Sequence, residues 1–129
     1  MTTALAVDLG SASGRVLAGT IVDGRLEITD VHRFKHQAIR DETGSLTWDV
    51  DTMWEQTVIG LKKAVEQVPD SVSVSVDTWG VDFVPLDANN ERVGKVRAYR
   101  DERTERTHEE FRSRVDDRTF FEMSGIAPA

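Results

Sequence analysis

The chain has 129 residues, of which 39% are hydrophobic, enough for one globular domain with a real core. Sixteen basic against 23 acidic residues leave a net charge of −7, which argues against nucleic acid or an anionic membrane as the main partner; the absence of cysteine excludes disulfides, thiolate zinc sites and thiol nucleophiles. The N-terminus has no basic leader and no apolar run approaches the ~20 residues of a membrane span, so the expected location is the cytoplasm.

The apolar run Ala4 to Val7 predicts a buried strand, and Asp8-Leu9-Gly10-Ser11-Ala12-Ser13-Gly14-Arg15 follows it directly. Its glycines and small hydroxyl residues leave backbone N–H groups free to face a phosphate. Asp8 would repel bare phosphate, which calls for a divalent cation between them, Mg²⁺ with several waters. Arg15 opens a second apolar segment, Val16 to Val22, so the loop joins two strands. A Walker loop or a dinucleotide fingerprint would lead into a helix instead. Equally open is a tight hairpin turn whose Asp8 only bonds backbone amides.

Asp23-Gly24 predicts a two-residue hairpin turn, and Leu26 to Phe34 the third strand of a meander. The polar stretch His36 to Ser45 contains a turn at Asp41 to Gly44. A helix follows, with Asp51 as N-cap, Pro69 as stop and an apolar stripe of Trp54, Val58, Leu61, Val65 and Val68. Gly60 inside it costs about 1 kcal/mol relative to Ala, so a close approach to the sheet is expected there.

Ser71 to Val76 predicts a fourth strand that delivers Asp77-Thr78-Trp79-Gly80, and Val81 to Leu86 a fifth. An Asn89-Asn90 turn and Val93 to Tyr99 form a further hairpin arm. From Arg100 to Arg118, 13 of 19 residues are charged with mixed sign, which predicts a solvated helix with Glu102/Arg106 and Glu110/Arg114 pairs and a narrow apolar face of Phe111 and Val115. Thr119 to Ala129 reads as a short helix ending at Gly125. Three antiparallel strands, a helix and a strand parallel to the first make Asp8 and Asp77 neighbours on one edge of the sheet, where ligands of α/β sheets gather. This is a ribonuclease-H-like, actin-like α/β arrangement: a mixed sheet of three antiparallel strands extended by a parallel one, with helices packed on it. A two-metal nuclease using Asp8, Glu55 and Asp77 is one function such a fold hosts.

Asp8 to Arg15, His32-Arg33-Phe34, Thr47-Trp48-Asp49-Val50-Asp51, Asp77-Thr78-Trp79-Gly80-Val81-Asp82-Phe83 and Tyr99-Arg100-Asp101-Glu102-Arg103-Thr104, in this order, resemble the N-terminal part of the FGGY family of carbohydrate kinases. The similarity runs from about Ala4 to Gly125, and the block from Asp77 to Phe83 favours the members that phosphorylate L-rhamnulose at O1 over those acting on L-fuculose or xylulose. The resemblance implies ATP, Mg²⁺ and a small ketose as ligands. Ser11, Ala12, Ser13, Gly14 and Arg15 match the ATP phosphate-binding segment, and Asp8 the holder of Mg²⁺ through water. Gly80 matches the position whose backbone contacts the sugar, where the lack of Cβ lets the chain lie against a polyhydroxylated substrate. Trp79 is placed to stack on the sugar or to join the core. Tyr99 stands where many relatives carry a sugar-contacting Trp, with Asp101 and Arg103 either orienting hydroxyls or pairing with each other. His32 reads as structural; Asp77 and Asp82 accept sugar hydroxyls or bond backbone amides.

In this family the aspartate that takes the proton from the attacking hydroxyl, the adenine pocket and the second ATPase domain lie beyond position 129. The resemblance therefore implies that residues 1–129 are a portion of the first domain, with no catalytic base in this span and a sheet edge open to self-association. A domain that binds sugar or nucleotide without turnover is the remaining alternative.

Overall fold

The computed structural model describes residues 2–127, except for the side chains of Thr104 and Arg106, so the expected Glu102/Arg106 pair lies outside the described residues. The chain runs β1 (Thr3–Leu9), β2 (Ser13–Val22), β3 (Arg25–Lys35), β4 (Ile39–Arg40), β5 (Leu46–Trp48), α1 (Val50–Gln67), β6 (Ser73–Thr78), β7 (Val96–Arg97), α2 (Arg103–Arg112) and α3 (Asp117–Ser124). The main sheet has the order β3-β2-β1-β6, with β1–β2 and β2–β3 antiparallel and β1–β6 parallel. This is the expected α/β arrangement. At the first hairpin, Asp23 and Gly24 both take positive φ, 50° and 77°, as a two-residue turn of this hand requires.

The core lies between the sheet and α1. Leu5, Val7, Val16 and Ala18 pack with Ala64, and Leu9, Val31, Leu61 and Val68 close the margin. The helix is seated one position away from the predicted stripe: Met53, Thr57, Gly60 and Ala64 are buried, whereas Trp54 is 67% exposed and Val65 is exposed as well. Small side chains win over large ones here because they let the helix descend onto the strands. A Cβ on Gly60 would fall inside van der Waals contact of Val16 Cγ2 and 3.1 Å from His32 Cβ, which bears out the expected close approach. The N-cap is Asp49, not Asp51: its carboxylate accepts from Thr52 N at 3.0 Å and Thr52 Oγ1 at 2.8 Å. Asp51, in the first turn, instead binds Arg92 through two hydrogen bonds of 2.9 and 2.7 Å.

The segment after β6 departs furthest from the expected hairpins. Val81 to Leu86 is no strand: Val81 takes φ +71°, and only Leu86 forms an isolated bridge, to Arg92. The expected arm is therefore reduced to Leu86 opposite Arg92 and Val93 N donating to Pro85 O at 2.9 Å, and β7 joins β5 and β4 in a small second sheet. The turn at Asn90, φ 63°, is as expected. The charged stretch divides into α2 and α3, and Asp116 caps α3 through Arg118 N and Thr119 N. Phe111 meets Phe120 edge-on at 5.4 Å, Glu110 and Arg114 pair at 2.6 Å, and Gly125 ends α3 at φ 70°.

An aromatic cluster joins the two sheets. His36 stacks on Trp79 and meets Trp48 edge-on, both at 5.7 Å between ring centres, and Phe34 closes the group at 6.0 Å. Both ring nitrogens of His36 are buried without a hydrogen-bond partner among the described residues. Burial holds its pKa below the ordinary 6.5, with the Gly10 backbone partly offsetting the shift.

Two outcomes are expected from this packing. Gly60→Ala should lower stability by about 1–3 kcal/mol in urea unfolding, the overpacking outweighing the gain in helix propensity. An unchanged or higher midpoint would remove the close contact from the account of the fold. For His36, a lowered folded pKa means that stability is fully present above the unfolded value of 6.5 and is lost as pH falls below it. Asp41, Asp49 and Asp116, held low by hydrogen bonds from Thr43, Thr52 and Thr119, give up their share only below about their ordinary 3.8. The thermal midpoint should thus begin to fall between pH 6.5 and about pH 5, and His36→Phe should flatten that first step while leaving the later one.

Candidate functional site

The ends of β1 and β6 and the turn from β1 to β2 carry most of the residues singled out in the sequence. Parallel pairing sets Asp8 opposite Asp77, and antiparallel pairing sets it opposite Arg15. Asp8 and Arg15 form an ion pair at 2.5 Å with both side chains about a third exposed. Asp77 is exposed beside them.

The expected phosphate loop is shorter than the motif. Ser13, Gly14 and Arg15 already belong to β2, where Gly14 pairs with Leu9 and Phe34, and Gly10 N donates to Ser13 O at 3.0 Å. Ser11 and Ala12 form the exposed tip, tied to the next crossing by His36 N donating to Ala12 O at 3.3 Å. Gly14 has a steric reason: a Cβ there would stand 2.6 Å from Phe34 Cε1, inside the ring. Arg15 Nε is buried with no partner among the described residues, so its charge is only partly satisfied by Asp8.

Beside this tip lies a cavity of about 230 Å³ whose lining includes Ser11, Gln37, Trp48, Tyr99 and Arg100. Ser11 and Tyr99, far apart in the chain, thus share one wall. The Arg100 guanidinium lies 5.2 Å from the centre of the Tyr99 ring. Gln37 brings an amide and Arg100, in the turn after β7, a cation, neither of which the sequence assigned a ligand role.

Gly80 and Trp79 do not line this cavity. Gly80 stands exposed with nothing within 4 Å of the position a Cβ would take. Trp79 faces the aromatic cluster, 4.9 Å from Trp48 between ring centres, the core alternative raised by the sequence. Asp82 takes neither of the roles expected of it: its Oδ2 accepts from Trp48 Nε1 at 2.7 Å and Trp79 Nε1 at 2.6 Å. Asp101 is 5% exposed; its carboxylate accepts from Leu46 N at 2.6 Å and Arg103 N at 3.2 Å, with Arg103 Nε 3.7 Å away. The amide of Leu46 foremost holds that carboxyl below its ordinary pKa. His32 is bound to α1 through Gln56 at 3.0 Å and Lys63 at 3.2 Å, a structural place.

Among the described residues no three His, Asp or Glu side chains gather to hold a metal ion, so Glu55 does not join Asp8 and Asp77 as a two-metal nuclease would need. Two carboxylates in register fit a different demand. A hydrated Mg²⁺ takes one or two carboxylates and draws its other ligands from water and phosphate. Asp8 and Asp77 stand in register at the sheet edge as two carboxylates that could serve it, and Arg15 is ion-paired to Asp8. No described helix is long and apolar enough to cross a membrane.

Comparison with known proteins follows the same lines. The profile of the FGGY family of carbohydrate kinases, N-terminal domain, matches residues 3–128. The chain is 39% identical over 122 residues to a rhamnulokinase of Oceanobacillus iheyensis, covering 95% of this chain and 26% of that protein. It is 40% identical over 110 residues to a rhamnulokinase of Halalkalibacterium halodurans, covering 85% and 23%. It spans about a quarter of the length of these relatives. The solved gluconate kinase of Lactobacillus acidophilus superposes with a TM-score of 0.77 over 94% of this chain and 24% of its own, at 10% identity, which speaks for the fold alone. The chain belongs to the FGGY family of carbohydrate kinases and carries its N-terminal domain.

Proposed function

We propose that this domain serves a kinase that transfers the γ-phosphoryl of ATP to O1 of L-rhamnulose, giving L-rhamnulose 1-phosphate and ADP. The observation that carries the substrate is the 39–40% identity to rhamnulokinases across most of the chain. In this reading the cavity between Ser11 and Tyr99 receives the ketose, with Tyr99 as an apolar wall and Gln37 and Arg100 as hydrogen-bond donors to hydroxyls. Ser11 and Ala12 offer backbone amides to the phosphate chain, and Ser13, Gly14 and Arg15 hold that tip from within the sheet. Gly80, outside the lining of that cavity, offers its backbone to the part of the sugar that extends beyond it, and Trp79 supports it from the cluster. Asp101 acts by fixing the stretch that carries Tyr99 and Arg100, since its oxygens are taken by the chain itself.

The transfer forms a bond from O1 to the γ-phosphorus and breaks the bond to the β-phosphate, which leaves on ADP. The proton of O1 goes to a general base, a role assigned to none of residues 1–129. Asp8, with Asp77 beside it, would hold a hydrated Mg²⁺, which when bound would neutralise phosphate charge. Asp8 itself has a second task, to orient Arg15 toward the phosphates through the ion pair.

The test is to join this chain to the remaining three quarters of the Oceanobacillus rhamnulokinase and to follow ADP formation. L-rhamnulose should be the best substrate; a preference for L-fuculose or xylulose would reassign the sugar, and no ketose-dependent ADP would overturn the kinase. In that protein Asp8→Asn should lower kcat at least a hundred-fold, on the order of 3 kcal/mol, while the fold survives. A turn-forming Asp8 would leave kcat within a few-fold. Gly80→Val should raise KM for the ketose far more than KM for ATP, because a branched side chain would enter the open space beside the strand end; equal rises would take Gly80 out of the sugar site.

A further inference from the structure

We infer that Asp82 is a positioning residue of the acceptor site, acting as a clasp: its carboxylate holds Trp48 of the small sheet and Trp79 of the main sheet and so sets the cavity wall and the turn that presents Gly80. The inference rests on the ketose reading proposed above.

One oxygen, Asp82 Oδ2, accepts both indole N–H groups, at 2.7 and 2.6 Å. The two rings it holds come from β5 and from the end of β6, strands of different sheets. Trp48 is nearly fully buried and lines the cavity that holds Ser11 and Tyr99. A shift of its ring is a shift of that wall. Trp79 immediately precedes Gly80, so fixing its indole fixes the backbone next to the proposed sugar contact.

The chain bends hard to make the clasp. Val81, a β-branched residue, takes φ +71°, a conformation such residues rarely adopt. The bend returns Asp82 to the indole three residues before it and across to Trp48. A charge-assisted acceptor shared by two donors, within an aromatic group, is the interaction present to hold that bend. Each indole has a single N–H donor, and in both rings it is given to this one carboxylate oxygen, so losing the carboxylate removes both hydrogen bonds at once.

The test has two arms. In this chain, labelled with ¹⁵N, the indole N–H groups of Trp48 and Trp79 should exchange with solvent at least ten-fold more slowly than that of exposed Trp54. Asp82→Leu should bring both to the Trp54 rate, and Asp82→Asn, which keeps an acceptor, should leave them between. In the joined kinase, Asp82→Leu should raise KM for the ketose at least ten-fold with KM for ATP within two-fold, and Asp82→Asn should recover most of the loss. Trp79→Phe, which keeps the ring and removes one donor, should give a smaller rise and add nothing to Asp82→Leu. If Asp82→Leu does not fold, Asp82→Asn and Trp79→Phe decide by the same readouts. Unchanged indole exchange overturns the clasp. Released indoles with an unchanged ketose KM, or equal rises for both substrates, overturn the positioning role. A joined parent without ketose-dependent ADP formation overturns the kinase reading and the positioning role with it, and the clasp is then judged on indole exchange.

Discussion

The parallel pairing of β1 with β6 is the constraint on which the rest depends. Through it Asp8 comes opposite Asp77, and the turn after β1 and the tip after β6 leave the sheet side by side. One residue of slip in this pairing would set Val76 or Thr78 beside Asp8 in place of Asp77. The apolar residues guard against that slip, because Leu5 and Val7 have a buried place only on the α1 side. The alternation that buries Leu5 and Val7 under α1 thus turns Asp8 to the other face.

The sheet order, the first hairpin and the close seat of Gly60 were legible in the residues because each rests on a local rule. Asp23-Gly24 supports positive φ, and a glycine within a helix asks for a near neighbour. The burial line of α1 was not legible, since hydrophobic size points to Trp54 and Val65 whereas the helix is placed by how near it can come. Trp54 and Val65 are exposed, as are Val74 and Val76 of β6 and Val72 just before it. Nothing in local propensity tells a stripe facing this sheet from one facing elsewhere.

The site divides in a similar way. The turn at Ser11 and the register of Asp8 beside Asp77 followed from motif and order. The fates of Asp82 and Asp101 did not, because an aspartate near a strand end is chemically the same whether it meets a sugar, an amide or an indole. His36 gave no signal in a polar stretch, and its burial depends on two tryptophans 12 and 43 positions further on. Two aspartates named for substrate chemistry thus serve as internal fasteners, and the surfaces they fasten carry the candidate contacts.

The depth of α1 reaches further than the core. The helix starts two residues after Trp48, with Asp49 capping it and Val50 as its first residue, so its height above the sheet is transmitted directly into the ring that walls the cavity. The line of Met53, Thr57, Gly60 and Ala64 therefore acts as a spacer whose thickness is measured in methyl groups. A family member that thickened that line would tilt the helix about its far end and move the tryptophan most, because it lies at the end of the lever. The shape of that cavity is then open to adjustment from behind the sheet, by residues that do not line it.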